Sequence, residues 1–227
     1  MTKQILVPLA LAGLVTLVAP PVHSSGSGSS SIPTARTTKR LTPEQRAQEK
    51  YNNGVKHLEK AMKLTAQLAE PDVKNRAKLE GKLHKRYEKA VKDFTKAVDQ
   101  DPTLHAAFSN LGYALRKTGK YDDALVAYDR ALALEAGYTP AIEYRAEAHL
   151  ALDRLDEVKE AYMLLFDRDR ERADELAAAM SHWVDERRDD PRTLSTETVA
   201  EFVSWVEKRT QLASQTSSLA QPRNGGW

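Results

Sequence analysis

The sequence predicts an all-α protein built as a helical-repeat solenoid. We expect about three helix-turn-helix units, with an elongated hairpin in the first and capping helices after the last. Residues 41–212 carry apolar residues at helical spacing and show no sustained alternation typical of strands. Small and aromatic residues recur at a period of 34. A unit of that length cannot bury its own apolar face, so neighbouring units must stack.

The repeat is visible at four positions of the unit. Two positions are alanine in the first and second units, as expected where helices approach closely, and two are aromatic or leucine, as expected where the next unit must be filled. We place the units at 42–104, 105–138 and 139–172. The recurring residues are Tyr87, Tyr121 and Leu155; Ala90, Ala124 and Val158; Phe94, Tyr128 and Tyr162; and Ala97, Ala131 and Leu165.

Composition excludes several functional classes. The 227 residues include 34 Lys and Arg against 32 Asp and Glu, a net charge of +2. The chain is therefore not globally polybasic, and we expect no nucleic-acid partner. It has no cysteine, which excludes disulfides, thiolate metal ligands, a cysteine nucleophile and a lipoprotein anchor.

The N-terminal segment has the layout of an export signal. Lys3 precedes a 15-residue apolar run over residues 5–19, and Pro20 and Pro21 follow it. This run is shorter than the roughly 18–20 residues of a spanning helix, so residues 1–24 predict a signal peptide. An uncleaved signal anchor is the alternative. We expect an exported, periplasmic protein, or one anchored in the inner membrane and facing the periplasm.

Residues 25–41 are rich in Ser and Gly and predict a flexible linker. At the other end, residues 173–212 contain two further amphipathic patterns, which predict capping helices over the open end of the stack. Residues 213–227 predict a polar tail.

The central unit resembles the tetratricopeptide repeat (TPR) family. The matching residues are Phe108, Leu111, Gly112 and Leu115 in its first helix, and Tyr121, Ala124, Tyr128 and Ala131 in its second. The resemblance implies a groove, lined by first helices, that binds a segment of another protein. Carried onto this sequence, the predicted groove residues are Ser109, Asn110, Tyr113, Arg116, Lys117, Glu143, Glu147 and Leu150.

Some TPR relatives hold a partner's terminal carboxylates with five Lys, Asn and Arg residues. At the corresponding positions here only Asn110 matches. The other four positions hold Tyr51, Val55, Pro140 and Tyr144. The resemblance therefore does not extend to that carboxylate-clamp function.

The first unit contains an extended hairpin. Gly54 and Ala90 are 36 residues apart, whereas Gly112 and Ala124 are 12 apart, so about 24 residues are inserted around Pro71. Apolar residues on both sides step by three and four, from Val55 to Ala69 and from Leu83 to Ala97, which predicts two long antiparallel helices that project as an arm.

The arm also carries a basic stripe, with lysines that step by three or four. Residues 36–92 hold 16 Lys and Arg against seven Asp and Glu, and residues 93–227 hold 17 against 25. A solvated helix face and a docking surface for an anionic partner, such as lipid headgroups or an acidic protein, both remain open. The stripe consists of Lys74, Lys78, Lys82, Lys85, Lys89 and Lys92.

We find no pattern for catalysis, a metal or a cofactor. No two of the six histidines have metal-ligand spacing, and His149 occupies a packing position of the repeat. Glu143 and Glu147 form a carboxylate pair that a solvated helix face explains as well as acid–base chemistry does. We therefore expect an exported, non-enzymatic protein-binding adaptor. A membrane-anchored accessory subunit that organises an envelope complex is the alternative. The sequence leaves the oligomeric state open.

Overall fold

A computed structural model of the chain describes residues 41–188 and 194–220. These residues form eight α-helices and no strand, which confirms the all-α helical-repeat class. The predicted signal peptide and all of the predicted linker except Leu41 lie outside the described residues. None of the described helices is both long and apolar enough to cross a bilayer. The helices are α1 (Pro43–Ala69), α2 (Arg76–Gln100), α3 (His105–Lys117), α4 (Tyr121–Leu134), α5 (Thr139–Ala151), α6 (Leu155–Arg168), α7 (Arg170–Arg188) and α8 (Thr196–Ala220).

Local signals fix several helix ends. At the start of α1, the Thr42 side chain accepts a hydrogen bond from the Gln45 backbone N–H, and the Gln45 side chain accepts one from Thr42 N–H. This capping box satisfies two backbone donors that the first turn would otherwise leave unpaired. After α3, Gly119 has a φ of +79°, a conformation that glycine adopts without steric cost.

Helices α1 and α2 form the long antiparallel hairpin of the first unit. Their contact runs along a seam on α1 in which a buried residue occurs at every seventh position, namely Ala47, Gly54, Ala61 and Leu68. The residues predicted for the α2 side of the seam from Tyr87 to Ala97 are buried, and Val55 and Leu58 of the predicted α1 side pack against it. Ala69, the last residue of the predicted α1 side, is exposed. The heptad of mostly small residues lets α2 approach closely, and a β-carbon on Gly54 would lie 2.6 Å from the Phe94 ring.

The apolar cluster that joins the hairpin to α3 contains Leu58 and Ala61 from α1 and Leu83 and Tyr87 from α2. Residues 62–82 contribute to none of the apolar clusters of the described chain. We call residues 62–82 the tip of the hairpin. Its buried apolar side chain is Leu68, whose carbonyl accepts a hydrogen bond of 3.0 Å from Arg76.

Helices α3–α6 form two units stacked on the first hairpin. The aromatic residues at the 34-residue period, Phe94, Tyr128 and Tyr162, are all fully buried. In the central unit, Tyr128 lies against Gly112, whose missing side chain makes room for the ring. The same close packing of a glycine and an aromatic ring therefore recurs in the first and second units.

Helices α7 and α8 cover the far end of the stack. Trp183 of α7 packs edge-on against Phe202 of α8, and Trp205 packs edge-on against Tyr162 of α6. The turn between α5 and α6 is also tied to α7, because Asp153 accepts hydrogen bonds from Trp183 and Arg187. The predicted polar tail from residue 213 begins too early, since α8 continues to Ala220.

Candidate protein-binding groove

The predicted groove residues lie on the first helices of the second and third units, and α7 continues the same row. We call the surface formed by α3, α5 and the first turn of α7 the groove face. Five predicted residues are buried there, each 9% exposed or less, and three are half-buried. The buried ones are Ser109, Tyr113, Arg116, Glu143 and Leu150, and the half-buried ones are Asn110, Lys117 and Glu147.

Two buried arginine–glutamate contacts connect successive helices of the groove face. The Arg116 guanidinium on α3 donates to the Glu147 carboxylate on α5. The Arg172 guanidinium on α7 donates to the Glu143 carboxylate on α5. The interpretation of Glu143 and Glu147 as a solvated face was therefore wrong, since each carboxylate is paired with an arginine from a neighbouring helix.

Tyrosine rings line the same face and pack against its arginines. Tyr113 packs against Tyr87 of α2 and Tyr144 of α5, with ring centroids 6.3 Å and 5.1 Å away. The Arg116 guanidinium carbon lies 5.4 Å from the Tyr113 centroid and 5.8 Å from that of Tyr144. Arg172 reaches the Tyr144 ring at 5.6 Å. These contacts add cation–π attraction to the arginine–glutamate contacts and keep the arginine side chains ordered.

Leu150 lies in the apolar core and not on an open groove. It belongs to the cluster that joins α5, α6 and α7, together with Ile142 and Leu176. The sequence analysis missed this burial because it treated α7 as part of the cap, whereas α7 also packs against α5. Direct contact between Leu150 and a ligand is thereby excluded in this conformation.

Asn110 and Lys117 carry the accessible polar groups of α3. The Asn110 amide nitrogen donates a hydrogen bond of 3.3 Å to the Tyr51 hydroxyl of α1. The Lys117 ammonium lies 5.5 Å from the Tyr113 ring centroid and forms no ion pair with any described residue. Lys117 therefore differs from Arg116 beside it, because its charge is not neutralised by a carboxylate in contact.

Burial shifts the pKa values of two charged groups on this face in opposite directions. Burial and, to a smaller extent, the positive charge of Arg116 together lower the pKa of Lys117 to about 8. Burial and the neighbouring charge of Glu147 raise the pKa of Glu143 to about 8, although Arg172 opposes that shift. At neutral pH the Glu143 carboxyl is therefore largely protonated, and the Arg172 guanidinium donates a hydrogen bond to it rather than forming a full ion pair. Both shifts follow from the cost of placing a charge in a poorly hydrated environment.

The sequence analysis did not identify Tyr51, Tyr144 and Arg172 as parts of this site. Tyr51 and Tyr144 were noted only because they replace the family's clamp residues. Arg172 lies 29 residues from its partner Glu143 on a different helix, and no local pattern indicates that contact. Across the described part of the chain, no group of three or more His, Asp or Glu side chains is arranged to hold a metal ion.

Comparison with known protein families gives a match over the central unit. Residues 105–138 match the family model of the tetratricopeptide repeat. No curated protein sequence is significantly similar to the chain.

Among solved structures, the first TPR domain of Spaghetti (RPAP3) bound to the HSP90 peptide SRMEEVD is similar. Its identity is 22% and its TM-score 0.47, over 62% of this chain and 95% of that one. The second TPR domain of human RPAP3 in complex with the HSP70 peptide SGPTIEEVD has 21% identity and a TM-score of 0.45. That match covers 60% of this chain and 97% of the RPAP3 domain. The Arabidopsis OM64 TPR domain has 13% identity and a TM-score of 0.41, and the match covers 74% of this chain and 98% of the OM64 domain.

Proposed function

We propose that this chain is a non-enzymatic adaptor that binds a segment of another protein along the groove face. The TPR match over residues 105–138 supports this class of function. The observation that carries the proposal for this chain is Lys117, a half-buried cation without a carboxylate partner on a face whose other charges are paired.

The contacts of Arg116 with Glu147 and of Arg172 with Glu143 make the groove face a fixed platform. A platform held in place before binding loses little conformational entropy when a ligand docks. The Lys117 ammonium can then receive an acidic side chain of the partner. Asn110 and the Tyr51 hydroxyl supply hydrogen-bonding groups for its backbone. This arrangement differs from a clamp for a terminal carboxylate, because Asn110 is the one clamp position that matches.

A pull-down with matched variants tests the proposal. The full chain is compared with the double variant Asn110→Ala/Lys117→Gln and with Val126→Ala, whose side chain is 71% exposed on α4. We expect the double variant to lose a partner that the wild type and Val126→Ala both retain from extracts of the source cells. Retention of the same partners by all three proteins contradicts binding at the groove face.

We also propose that the adaptor acts outside the cytoplasm, in the periplasm. Support comes from Lys3, the apolar run of residues 5–19 and the two prolines that follow it. The alternative is an accessory subunit of an envelope complex that keeps this segment as an anchor. Mass spectrometry of the protein from its source distinguishes them, since a species that starts near Ser25 supports the soluble adaptor and an intact Met1 supports the anchored subunit.

A further inference from the structure

The surface of α2 carries the largest concentration of unpaired charge in the described chain. Five lysines of the basic stripe lie on α2 and all are exposed. Lys74, the sixth, lies in the turn that precedes α2 and not on the helix. Lys96 is also exposed on α2 and continues the spacing. We define the α2 stripe as Lys78, Lys82, Lys85, Lys89, Lys92 and Lys96.

The α2 stripe is narrow and straight. At 100° per residue, its six positions fall within about 80° of one helix face, and 18 residues at 1.5 Å rise span about 27 Å. The nearby carboxylates lie at its margins and face histidines, with Glu88 3.5 Å from His84 and Asp93 3.5 Å from His57. No acidic residue therefore interrupts the row of ammonium groups.

The six lysines of the α2 stripe differ from many other cations of the described chain because they have no carboxylate partner. None of the six lysines forms an ion pair with a described carboxylate. Elsewhere among the described residues, nine Lys and Arg side chains lie within 4.0 Å of a carboxylate. They are Lys50, Arg116, Arg145, Arg154, Lys159, Arg170, Arg172, Arg187 and Arg188. The positive charge of the stripe is therefore available to an external anion.

The side chains around the α2 stripe favour an acidic polypeptide over a nucleic acid or a membrane as its anionic partner. No large apolar side chain between Thr42 and Leu125 is exposed, and the apolar face of α2 is buried against α1 and α3. The surface therefore has no aromatic groups on which bases could stack and no apolar face to insert into a bilayer. A straight row of six cations over about 27 Å matches about eight residues of an extended chain.

We propose that the α2 stripe is a second docking surface, independent of the groove face, for an acidic polypeptide segment. The attraction is electrostatic and long-range, so the stripe accelerates encounter with the partner as well as holding it. A partner that carries such a segment beside its groove-binding sequence would engage both surfaces, and the second contact would then be intramolecular.

The proposal is tested with a fluorescent ten-residue glutamate peptide and the full chain. The stripe variant is Lys78→Gln/Lys82→Gln/Lys85→Gln/Lys89→Gln. The matched control is Lys120→Gln/Arg130→Gln/Arg168→Gln/Lys208→Gln, which also takes the net charge from +2 to −2. All eight positions are exposed, and Gln has nearly the helix propensity of Lys. Circular dichroism checks that both variants remain folded.

At 20 mM salt we expect the stripe variant to bind the peptide at least tenfold more weakly than wild type. The affinity of the control variant for the peptide should differ from that of wild type by less than threefold. The difference should vanish near 1 M salt, where the Debye length falls to about 3 Å. Equal weakening in both variants overturns the proposal. It is also overturned if wild type binds vesicles with 30% phosphatidylserine, or duplex DNA, tenfold more tightly than the peptide. If the quadruple variant unfolds, the double variant Lys78→Gln/Lys82→Gln replaces it. We then expect threefold weaker peptide binding, and unchanged binding contradicts the proposal.

Discussion

The ring of Tyr128 occupies the space that a side chain on Gly112 would need, and a β-carbon there would lie 2.6 Å from its Cε1 atom. Real β-carbons essentially never approach another atom this closely, and Tyr128 is fully buried in a close-packed interior. The two helices of the central unit therefore depend on glycine at this position.

Replacement of Gly112 by Ala should destabilise the protein by about 1–3 kcal/mol, and Gly112→Leu by more, because both overpack the contact with Tyr128. Thermal or urea unfolding measures the change. The control is Gly81→Ala on α2, where no atom lies within 4 Å of the new β-carbon. That change should stabilise by about 0.5–1 kcal/mol through helix propensity. An unchanged unfolding midpoint for Gly112→Ala would contradict the packing described here.

The Arg116–Glu147 pair should be far more sensitive to mutation than an exposed pair. Arg116→Met leaves the Glu147 carboxylate, which is 18% exposed, without its partner, and such a change typically costs about 3–5 kcal/mol. The matched control is Arg145→Met, whose partner Asp129 is 62% exposed; it should cost about 1 kcal/mol or less. Similar losses in both variants, measured by urea unfolding, would argue against a structural role for the buried pair.

These two sites differ in how far the sequence predicts them. The Gly112–Tyr128 contact was predictable because it depends on a repeated steric constraint, which leaves a small residue and an aromatic residue at fixed spacing. The Arg116–Glu147 and Arg172–Glu143 contacts were not predictable. A glutamate on a helix gives the same sequence pattern whether its carboxylate is solvated or paired with an arginine of another helix. Only the packing of α7 against α5 brings Arg172 to Glu143.

The ionisation of Glu143 should lower the free energy of unfolding as pH rises. Its pKa is raised to about 8 in the folded protein, so the folded state binds more protons than the unfolded state between pH 4.5 and pH 8. The contribution is full below pH 4.5 and is lost as pH rises through 8. Glu143→Gln should flatten the dependence of the unfolding free energy on pH in this window. An unaltered slope would contradict the raised pKa.

Lys117 should change the free energy of unfolding at higher pH than Glu143 does, and in the opposite direction. Its pKa is lowered to about 8 in the folded protein, so the unfolded state binds more protons between pH 8 and pH 10.5. Stability should therefore rise with pH across this window. Lys117→Met should remove the rise and stabilise the protein at pH 7, since it removes a half-buried charge. A variant less stable than wild type at pH 7 would show that Lys117 contributes to packing or pairing.

Site-specific photo-crosslinking in the source cells tests binding at the groove face most directly. A benzoylphenylalanine replaces Tyr51, which is half-buried and bonded to Asn110, or Val126, which is exposed on α4. Both variants are expressed at matched levels and irradiated, and crosslinked species are separated by mass. We predict a discrete partner adduct from position 51 that is absent from position 126 and is lost when Lys117→Gln is added. An adduct from position 126 with none from position 51 would contradict the proposed adaptor surface.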